Sequence, residues 1–205
     1  YEIGGMDNPV VKDPANDDIP YVPGSSLKGK MRSMSEWAEG LVEMNQTFHH
    51  CADPACPVCR VFGRPAEDDL PVAPTRLIVR DAYPDEDTRE SMRTLARDKG
   101  LPKTEEKTEV AIDRITSQAN PRPMERVARG ATFDLEMVYQ MYRTEPEEQN
   151  EGCPSDLDLF PKVLQGLALV EDTFLGGQGT RGYGRVEFRL QRVRLKRTAD
   201  YLTGE

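Results

Sequence analysis

The chain has 205 residues, of which 37% are hydrophobic and 31% charged, and its formal net charge is −9. This length allows one domain, or one domain with insertions. No segment approaches the roughly 20 apolar residues of a membrane-spanning helix, and four cysteines are too few for a disulfide scaffold. The composition therefore argues against a membrane protein and a disulfide-rich secreted domain.

The charge is distributed unevenly along the chain. Residues 175–198 contain seven cations and one anion, whereas residues 143–174 contain two cations and eight anions. A basic segment on an acidic protein can form an anion-binding face while the acidic segments lie on other faces. A solvated strand edge is the alternative interpretation of the same basic segment.

The first 23 residues are rich in Gly, Pro, Asp and Asn and predict a loop with short extended stretches at 9–12 and 19–22. A helix is predicted next, because apolar side chains recur at steps of three and four. Ser25 or Ser26 is its expected N-cap. The apolar stripe consists of Leu27, Met31, Met34, Trp37 or Ala38, and Leu41 or Val42.

The start of this helix, GSSLKGKM at 24–31, nearly matches the phosphate-binding loop G-x-x-x-x-G-K-[ST]. Met31 occupies the position at which that loop requires a magnesium-binding Ser or Thr. The helical stripe also begins at Leu27, which leaves no room for a phosphate cradle. The sequence therefore argues against a nucleotide hydrolase.

The same segment still has the chemistry of an anion site. Cations in the first turn of a helix are unfavourable unless an anion is present, and a phosphate there could be bound by free N–H groups, hydroxyls and cations. The residues expected to contact it are Ser25, Ser26, Lys28, Lys30 and Arg32. In the alternative interpretation, the lysines only cover the solvated face of the helix.

A cysteine cluster, HHCADPACPVC, lies at 49–59. Cys-x2-Cys allows two thiolates to bind one ion, and a further Cys and a His complete a tetrahedron. The predicted ligands are His49, Cys51, Cys56 and Cys59, with His50 and Cys153 in reserve. Four nitrogen and sulfur ligands close the site, so the zinc is expected to be structural. A redox cysteine pair and free thiols are the alternatives.

The centre of the chain predicts a short buried strand within 76–84 and a charged, solvated insertion at 85–109. Residues 110–123 are expected to begin as a strand and end in a proline-rich turn. Strict alternation of apolar side chains from Phe133 to Met141 predicts a half-buried strand.

The C-terminal third predicts an acidic loop at 144–156 and a helix at 159–170 with Pro161 in its first turn. A glycine loop and a strand at 186–195, with a bulge near Gln191, are expected to follow. If a first strand precedes Tyr1, the order is β-α-β-β-α-β. This α+β plan is a ferredoxin-like, RRM-like sheet with two helices on one face.

The glycine loop, GGQGTRGYG at 176–184, is a second candidate for anion binding. Glycines allow a backbone to approach a polyanion closely, an arginine can pair with phosphate, and a tyrosine can stack on a base. The candidate residues are Gly177, Gly179, Arg181, Gly182 and Tyr183. A dinucleotide-binding loop is excluded because a strand, not a helix, is predicted to follow, and a flexible hairpin is the alternative.

Two further residue types limit the possible chemistry. The chain has only two histidines, and the metal site is expected to use one, which argues against a ribonuclease with a histidine acid–base pair. Asp7 lies in a Gly/Pro loop, where an Asp before Asn-Pro usually forms a turn.

Six blocks, in order along the chain from Ile3 to about Phe188, resemble the backbone subunit of type III-A CRISPR (Csm) effector complexes, a family within the RAMP superfamily. These blocks are IGGMDNPVVKD, IPYVPGSSLKGKMRS, CPVCRVFG, RLIVRDAYP, AIDRITSQANPRPMERV and LGGQGTRGYGRVEF. The resemblance implies a single RRM-like domain over 1–205. It also implies a thumb-like hairpin at 100–124 that wedges into a guide–target duplex. The cysteine cluster predicts a zinc-binding insertion at 45–74, a feature that only some members of the family have.

The resemblance also implies a function. Copies would stack as a filament along a CRISPR guide RNA, with other subunits, in a prokaryotic cytoplasm and without a membrane. Asp7 matches the family's catalytic residue for cutting target RNA at regular intervals, with Mg²⁺ or Mn²⁺. The helix start, the glycine loop and Arg122 would contact RNA.

Three rival functions remain open at this stage. A non-catalytic guide-RNA-binding scaffold of the same complex is the nearest alternative to the metal-dependent endoribonuclease. A CRISPR RNA processing enzyme would need a general base that this chain lacks outside the cysteine cluster. A free-standing zinc-dependent RNA-binding protein would be a monomer.

Overall fold

A computed structural model of the chain describes residues 9–64, 74–142 and 153–203. The helices are α1 (Gly24–Ala38), α2 (Pro57–Phe62), α3 (Glu86–Lys99), α4 (Asp156–Asp172) and α5 (Asp200–Thr203). The strands are β1 (Lys12–Asp13), β2 (Ile19–Pro20), β3 (Leu77–Val79), β4 (Tyr83–Pro84), β5 (Glu105–Ile112), β6 (Ala119–Arg126), β7 (Phe133–Asp134) and β8 (Met137–Tyr139).

The core lies where α1, α2 and α4 pack together against β3. Gly166 of α4 faces Met31, and a side chain at Gly166 would begin 3.3 Å from the Met31 methyl carbon, so the two helices approach closely. The main buried apolar residues are Leu27, Met31, Val61, Phe62, Leu77, Leu159, Val163 and Val170. Both predicted amphipathic helices are therefore confirmed, and their apolar stripes face each other.

Helix α1 departs from the predicted stripe in its last turn. Trp37 is 66% exposed, and the helix ends at Ala38, before Leu41. Ser35 and Glu36 occupy the buried side instead. They can do so because the Ser35 hydroxyl donates to the Met31 carbonyl at 2.9 Å, and Arg32 pairs with the Glu36 carboxylate at 2.8 Å.

The predicted serine N-cap of α1 is wrong. The N-cap is Pro23, and the helix begins at Gly24, whose N–H donates to Asp81 Oδ1 at 2.8 Å. A Cβ at Gly24 would lie 2.2 Å from the Val79 carbonyl oxygen, so only glycine allows the helix to begin against β3. The carboxylate of Asp81 therefore lies at the positive end of the helix.

The chain from Arg76 to Pro84 forms an antiparallel ladder with residues 133–140. Strand β3 pairs with β8, and β4 pairs with β7. Main-chain hydrogen bonds from Arg80 to Glu136 (3.1 Å) and from Gln140 to Arg76 (2.8 Å) extend the ladder between and beyond these short strands. The strands predicted at 76–84 and 133–141 are thus confirmed, although the second is interrupted.

The ferredoxin-like order of strands is not established by the described residues, whose pairings form four separate two-stranded sheets. The strand predicted at 186–195 is not formed. Val186 and Phe188 pack against the core, but Leu190 and Val193 are exposed. Within the described ranges no segment pairs with this stretch, and an alternating pattern yields a strand only when a partner completes the hydrogen bonds.

Helix α3 corrects the prediction of a solvated insertion at 85–109. Asp85 caps the helix by accepting from the Thr88 N–H at 2.9 Å, and Gly100 ends it at φ 61°. Met92 is the buried residue on its inner face. The start and stop signals were present in the sequence, since an Asp cap, acidic residues in the first turn and a terminal glycine are typical of helices.

Strands β5 and β6 form a hairpin of eight residue pairs, from Glu105 opposite Arg126 to Ile112 opposite Ala119. The tip, 113–118, is held by Asp113, whose carboxylate accepts from the N–H groups of Ile115 and Thr116. The predicted proline-rich turn within 110–123 is therefore wrong. The prolines lie within β6, where a strand with one free edge tolerates residues without an N–H.

A buried ion cluster ties α2, β3 and α4 together. The Asp156 carboxylate pairs with Arg76 at 3.0 Å and with Arg60, and it also accepts from the Tyr142 N–H at 2.9 Å. Burial alone would raise the pKa of Asp156, but these donors hold it below its usual value.

Among the described residues, no helix is long and apolar enough to cross a membrane.

Candidate functional site

The predicted catalytic residue, Asp7, lies outside the described residues, which begin at residue 9. The chain that follows it is anchored to the hairpin. The Glu125 carboxylate accepts from the Val10 N–H at 2.9 Å and pairs with Lys12 at 2.5 Å, and Thr104 donates to it as well. Glu125 is buried in β6, so it fixes the chain three residues after Asp7 against the base of the hairpin.

The charge of Glu125 is stabilised by these contacts. Burial on its own would raise the pKa of this carboxyl group, but hydrogen bonds from Lys12, Thr104 and Val10 outweigh burial and lower the pKa below its usual value. The ionised form is therefore the one that holds the chain at Val10 and Lys12.

The glycine loop contacts the opposite face of the same hairpin. Residues directly opposite each other in an antiparallel pair share a face, and successive residues alternate, so Lys107, Glu109 and Arg126 face away from Glu125. Arg181 pairs with Glu109 at 3.0 Å. The Tyr183 ring lies 4.6 Å from Lys107 Nζ and 5.7 Å from Arg126 Cζ.

Two glycines of this loop are required by close approach. A Cβ at Gly179 would lie 1.9 Å from the Phe174 ring, and one at Gly184 would lie 2.0 Å from the Leu175 carbonyl oxygen. The Leu175 N–H donates to the Gly184 carbonyl at 2.8 Å, which closes the loop on itself. The loop is therefore a compact turn that presents Gly177, Arg181 and Gly182 to solvent.

The helix start and the glycine loop meet through Lys30, whose Nζ lies 3.9 Å from the centroid of the Phe174 ring. Ser25 and Ser26, in the first turn of α1, are exposed. On the hairpin, Arg122 is exposed in β6 opposite Glu109. Contacts thus connect α1 to the chain just before the glycine loop, through Lys30 and Phe174, and the glycine loop to the hairpin, through Arg181 and Glu109.

Two further predicted RNA-contact residues, both in α1, also have partners within the protein. Lys28 donates to the Leu77 carbonyl at 2.8 Å and to Thr75 Oγ1 at 3.3 Å. Burial, and then the positive charge of Arg32, lowers the pKa of Lys28. Arg32 is turned toward the cysteine cluster. These two cations stabilise the packing of α1, and the spacing of residues in the sequence contained no signal for this.

The four predicted metal ligands do converge. One ligand atom from each of His49, Cys51, Cys56 and Cys59 lies within 4.8 Å of the others. Helix α2 begins directly after Cys56, so Cys59 follows one turn later on the same side. Three thiols and an imidazole at these distances fit a tetrahedral zinc site, so the cluster could hold a metal ion such as zinc.

The reserve ligands point elsewhere. A His50 ring nitrogen lies 3.3 Å from the Phe48 carbonyl, and the Cys153 thiol donates to the Pro54 carbonyl at 3.4 Å.

Burial raises the pKa of the Cys56 thiol to about 12 and also raises that of Cys59. Metal binding must therefore displace protons from these thiols.

Two arginines support the metal cluster from outside. Arg32 donates to the carbonyls of His49 and, at 2.9 Å, Gly63. Arg64 donates to the Cys51 carbonyl at 2.6 Å. A divalent zinc bound by three thiolates would carry a net negative charge, which the two guanidinium groups would offset. Sequence reasoning missed this role; Arg64 follows the cluster closely in the sequence, but Arg32 lies seventeen residues before His49 and gave no signal.

Comparisons with known proteins agree with the resemblance noted in the sequence. The sequence model of the RAMP superfamily matches residues 4–187. The CRISPR system Cms endoribonuclease Csm3 of Methanothermobacter thermautotrophicus is 40% identical over 217 residues, which cover 100% of this chain and 80% of the relative. The protein of the same name from Streptococcus thermophilus is 39% identical over 187 residues, which cover 91% of this chain and 76% of the relative.

A solved structure gives the same assignment. The crystal structure of Methanopyrus kandleri Csm3 superposes with a TM-score of 0.60 at 26% sequence identity, covering 99% of this chain and 72% of that one. The chain therefore belongs to the RAMP superfamily, in the group of CRISPR Csm3 proteins.

Proposed function

We propose that this protein is the repeated backbone subunit of a CRISPR effector complex, which binds guide RNA and cleaves complementary target RNA at regular intervals. The observation that carries the proposal is the position of the hairpin base. It lies between the glycine loop on one face and the chain that follows Asp7 on the other. Relatives that share up to 40% of the sequence are named endoribonucleases.

Guide RNA would be held through its phosphates. Ser25, Ser26, Lys30 and Arg122 offer hydroxyl and cationic donors, and the exposed residues of the glycine loop, Gly177, Arg181 and Gly182, add N–H groups and a guanidinium. The segment after the loop adds exposed basic residues, namely Arg185, Arg189, Arg192, Arg194, Lys196 and Arg197. Such contacts suit a protein that binds backbone and shape while base pairing reads the sequence.

The hairpin would stand in the guide–target duplex. Its outer half is exposed and ends in apolar side chains at Val110, Ile112 and Ile115, the last of which is 94% exposed. Apolar side chains inserted between bases unstack them at a cost of a few kcal/mol. A displaced nucleotide could then align its 2′-OH with the neighbouring phosphate, which is the geometry that RNA cleavage needs.

Asp7 would act next to that nucleotide. A carboxylate with an ordinary pKa of about 4 is a poor base at neutral pH, so positioning of a metal or a phosphate is the role that suits it. Mg²⁺ or Mn²⁺ would supply charge stabilisation of the developing transition state. Glu125 holds Val10 and Lys12, which follow Asp7 in the sequence, at the base of the hairpin.

The experiment replaces Asp7 by Ala and assembles the variant with guide RNA and the other subunits. Periodic cutting of target RNA with Mg²⁺ should be lost while guide RNA remains bound. Asp18→Asn is the matched control, because it removes one exposed carboxylate from the same segment. If Asp7→Ala cuts target RNA as the wild type does, the catalytic assignment is wrong and the non-catalytic scaffold remains.

The cysteine cluster would bind structural zinc. Copies of the subunit would stack as a filament along the guide RNA, together with other subunits of the complex. Thiolate ligands stay reduced in a prokaryotic cytoplasm, which is where such a complex would act. The single RRM-like domain, its insertion at 45–74 and a thumb-like role for the hairpin belong to this proposal. Sedimentation with and without guide RNA would test the assembly.

A further inference from the structure

Tyr183 connects the glycine loop to both strands of the hairpin. Its ring lies against Lys107 of β5 and Arg126 of β6, and the residue is 9% exposed. The hydroxyl group is buried and makes no hydrogen bond to any described residue. A base-stacking role would need an accessible ring. The ring of Tyr183 therefore packs against the hairpin, and its hydroxyl group does not contribute a hydrogen bond to this contact.

The position of this contact makes it mechanically important. Lys107 lies at the base of the hairpin, and the tip at 113–118 is six or more residues further along. At about 3.4 Å per residue the tip is roughly 20 Å away, so a tilt of about 5° at the base displaces the tip by about 2 Å. A misplacement of about 1 Å at a reaction site can reduce a rate about a hundredfold.

We propose that Tyr183 is a positioning residue for target cleavage, because its ring holds the hairpin base between Lys107 and Arg126 and thereby fixes the angle of the hairpin. This inference rests on the proposed function of the hairpin. It assigns Tyr183 to the protein's own architecture instead of to a stacked RNA base. The salt bridge between Arg181 and Glu109 lies beside it and is more exposed, so it contributes less.

The experiment compares three variants, each assembled in the full complex with guide RNA: Tyr183→Leu, Tyr183→Phe and Lys107→Gln. Amide hydrogen exchange over 105–126, before and after assembly, reports on the hairpin. Mapping of cut sites at single-nucleotide resolution reports on its position in the duplex. Guide-RNA affinity is measured in parallel.

Tyr183→Leu should accelerate exchange at the hairpin base about five- to thirtyfold, as expected for the loss of two cation–π contacts. It should also spread each cut over neighbouring nucleotides, with guide affinity unchanged. Tyr183→Phe should behave as the wild type, because the lost hydroxyl has no partner. Lys107→Gln changes an exposed residue without endangering the fold, and should accelerate exchange about two- to fivefold.

Unchanged exchange and unchanged cut sites in Tyr183→Leu would overturn the proposal. It would also be overturned if that variant weakened guide binding and left the hairpin of the free protein unaffected, since Tyr183 would then contact RNA. If Tyr183→Leu does not fold, Lys107→Gln tests the proposal in its place, and unchanged hydrogen exchange at the hairpin base in that variant would overturn it. If the wild-type complex does not cut target RNA at all, the proposed function is refuted. Hydrogen exchange in the variants would still test the contact between Tyr183 and the hairpin.

Discussion

Replacement of Arg32 by Gln separates a structural role of this residue from the phosphate-binding role that its sequence position suggested. The side chain is mostly buried, and its three nitrogen donors contact the Glu36 carboxylate and the carbonyls of His49 and Gly63. Glu36 is itself buried. Loss of Arg32 would leave this carboxylate without its cation and would free the loop that carries a metal ligand.

The expected magnitude follows from these contacts. Removal of one partner from a buried ion pair costs about 3 to 5 kcal/mol, because the remaining charge stays desolvated. Outer supports of metal ligands are typically worth about 10- to 100-fold in metal affinity. We therefore expect Arg32→Gln to reduce the free energy of unfolding by at least about 3 kcal/mol and zinc affinity at least about tenfold.

The assay is urea unfolding of the zinc-loaded protein, together with competition for zinc against a chelator of known affinity. Metal analysis of the wild type establishes zinc content first. The double variant Arg32→Gln, Glu36→Gln should recover part of the lost stability, since no unpaired charge remains. The coupling between the two positions should be about 1 kcal/mol or more.

A structural role of Arg32 is refuted if Arg32→Gln changes the free energy of unfolding by less than about 0.5 kcal/mol and leaves zinc affinity unchanged. Weaker guide-RNA binding with unchanged stability would instead support a phosphate contact. Lys30→Gln serves as the matched control. Lys30 lies on the same helix and contacts the Phe174 ring, and no described contact joins it to the four candidate metal ligands. Its zinc affinity should equal that of the wild type.

Two further predictions concern the packing that surrounds the site. Gly24→Ala should destabilise the protein by about 3 kcal/mol in urea unfolding, because its Cβ would lie 2.2 Å from the Val79 carbonyl oxygen and overpacking at a rigid backbone contact is costly. Gly29→Ala, on the exposed side of the same helix with no atom within 4 Å, should be neutral or stabilising. Glu125 should contribute stability above its unfolded pKa of 4.5 and lose that contribution as the pH falls through its lower folded pKa. Urea unfolding from pH 6 to pH 3 should therefore be less pH-dependent in Glu125→Gln, and an equal slope in both proteins would contradict the role given to these hydrogen bonds.

Local spacing was sufficient for the parts of this protein that depend on neighbouring residues. Helix α4 begins with a capping box between Ser155 and Asp158, and its apolar stripe was visible in the sequence. The four metal ligands lie within eleven residues, so their spacing alone allowed convergence. Helix α3 could have been identified in the same way, because its Asp cap and terminal glycine are local signals.

The same local information misassigned side chains whose partners lie far along the chain. Lys28 is bound by a carbonyl of β3, forty-nine residues away, and Tyr183 is buried by a hairpin more than fifty residues upstream. The alternation at 186–195 indicated a strand, but no described segment pairs with it. In each case the sequence showed a cationic, aromatic or apolar side chain, but it did not show which distant segment that side chain contacts.

The sequence by itself therefore determined the family, the two amphipathic helices α1 and α4, the convergence of four candidate metal ligands, and the set of basic and glycine-rich segments. Only the tertiary structure decided which of those residues face solvent and which support the fold. It placed the hairpin base between the glycine loop and the chain after Asp7. The physical reason is that periodicity and capping act over a few residues, while burial and ion pairing depend on which distant segments the folded chain brings together.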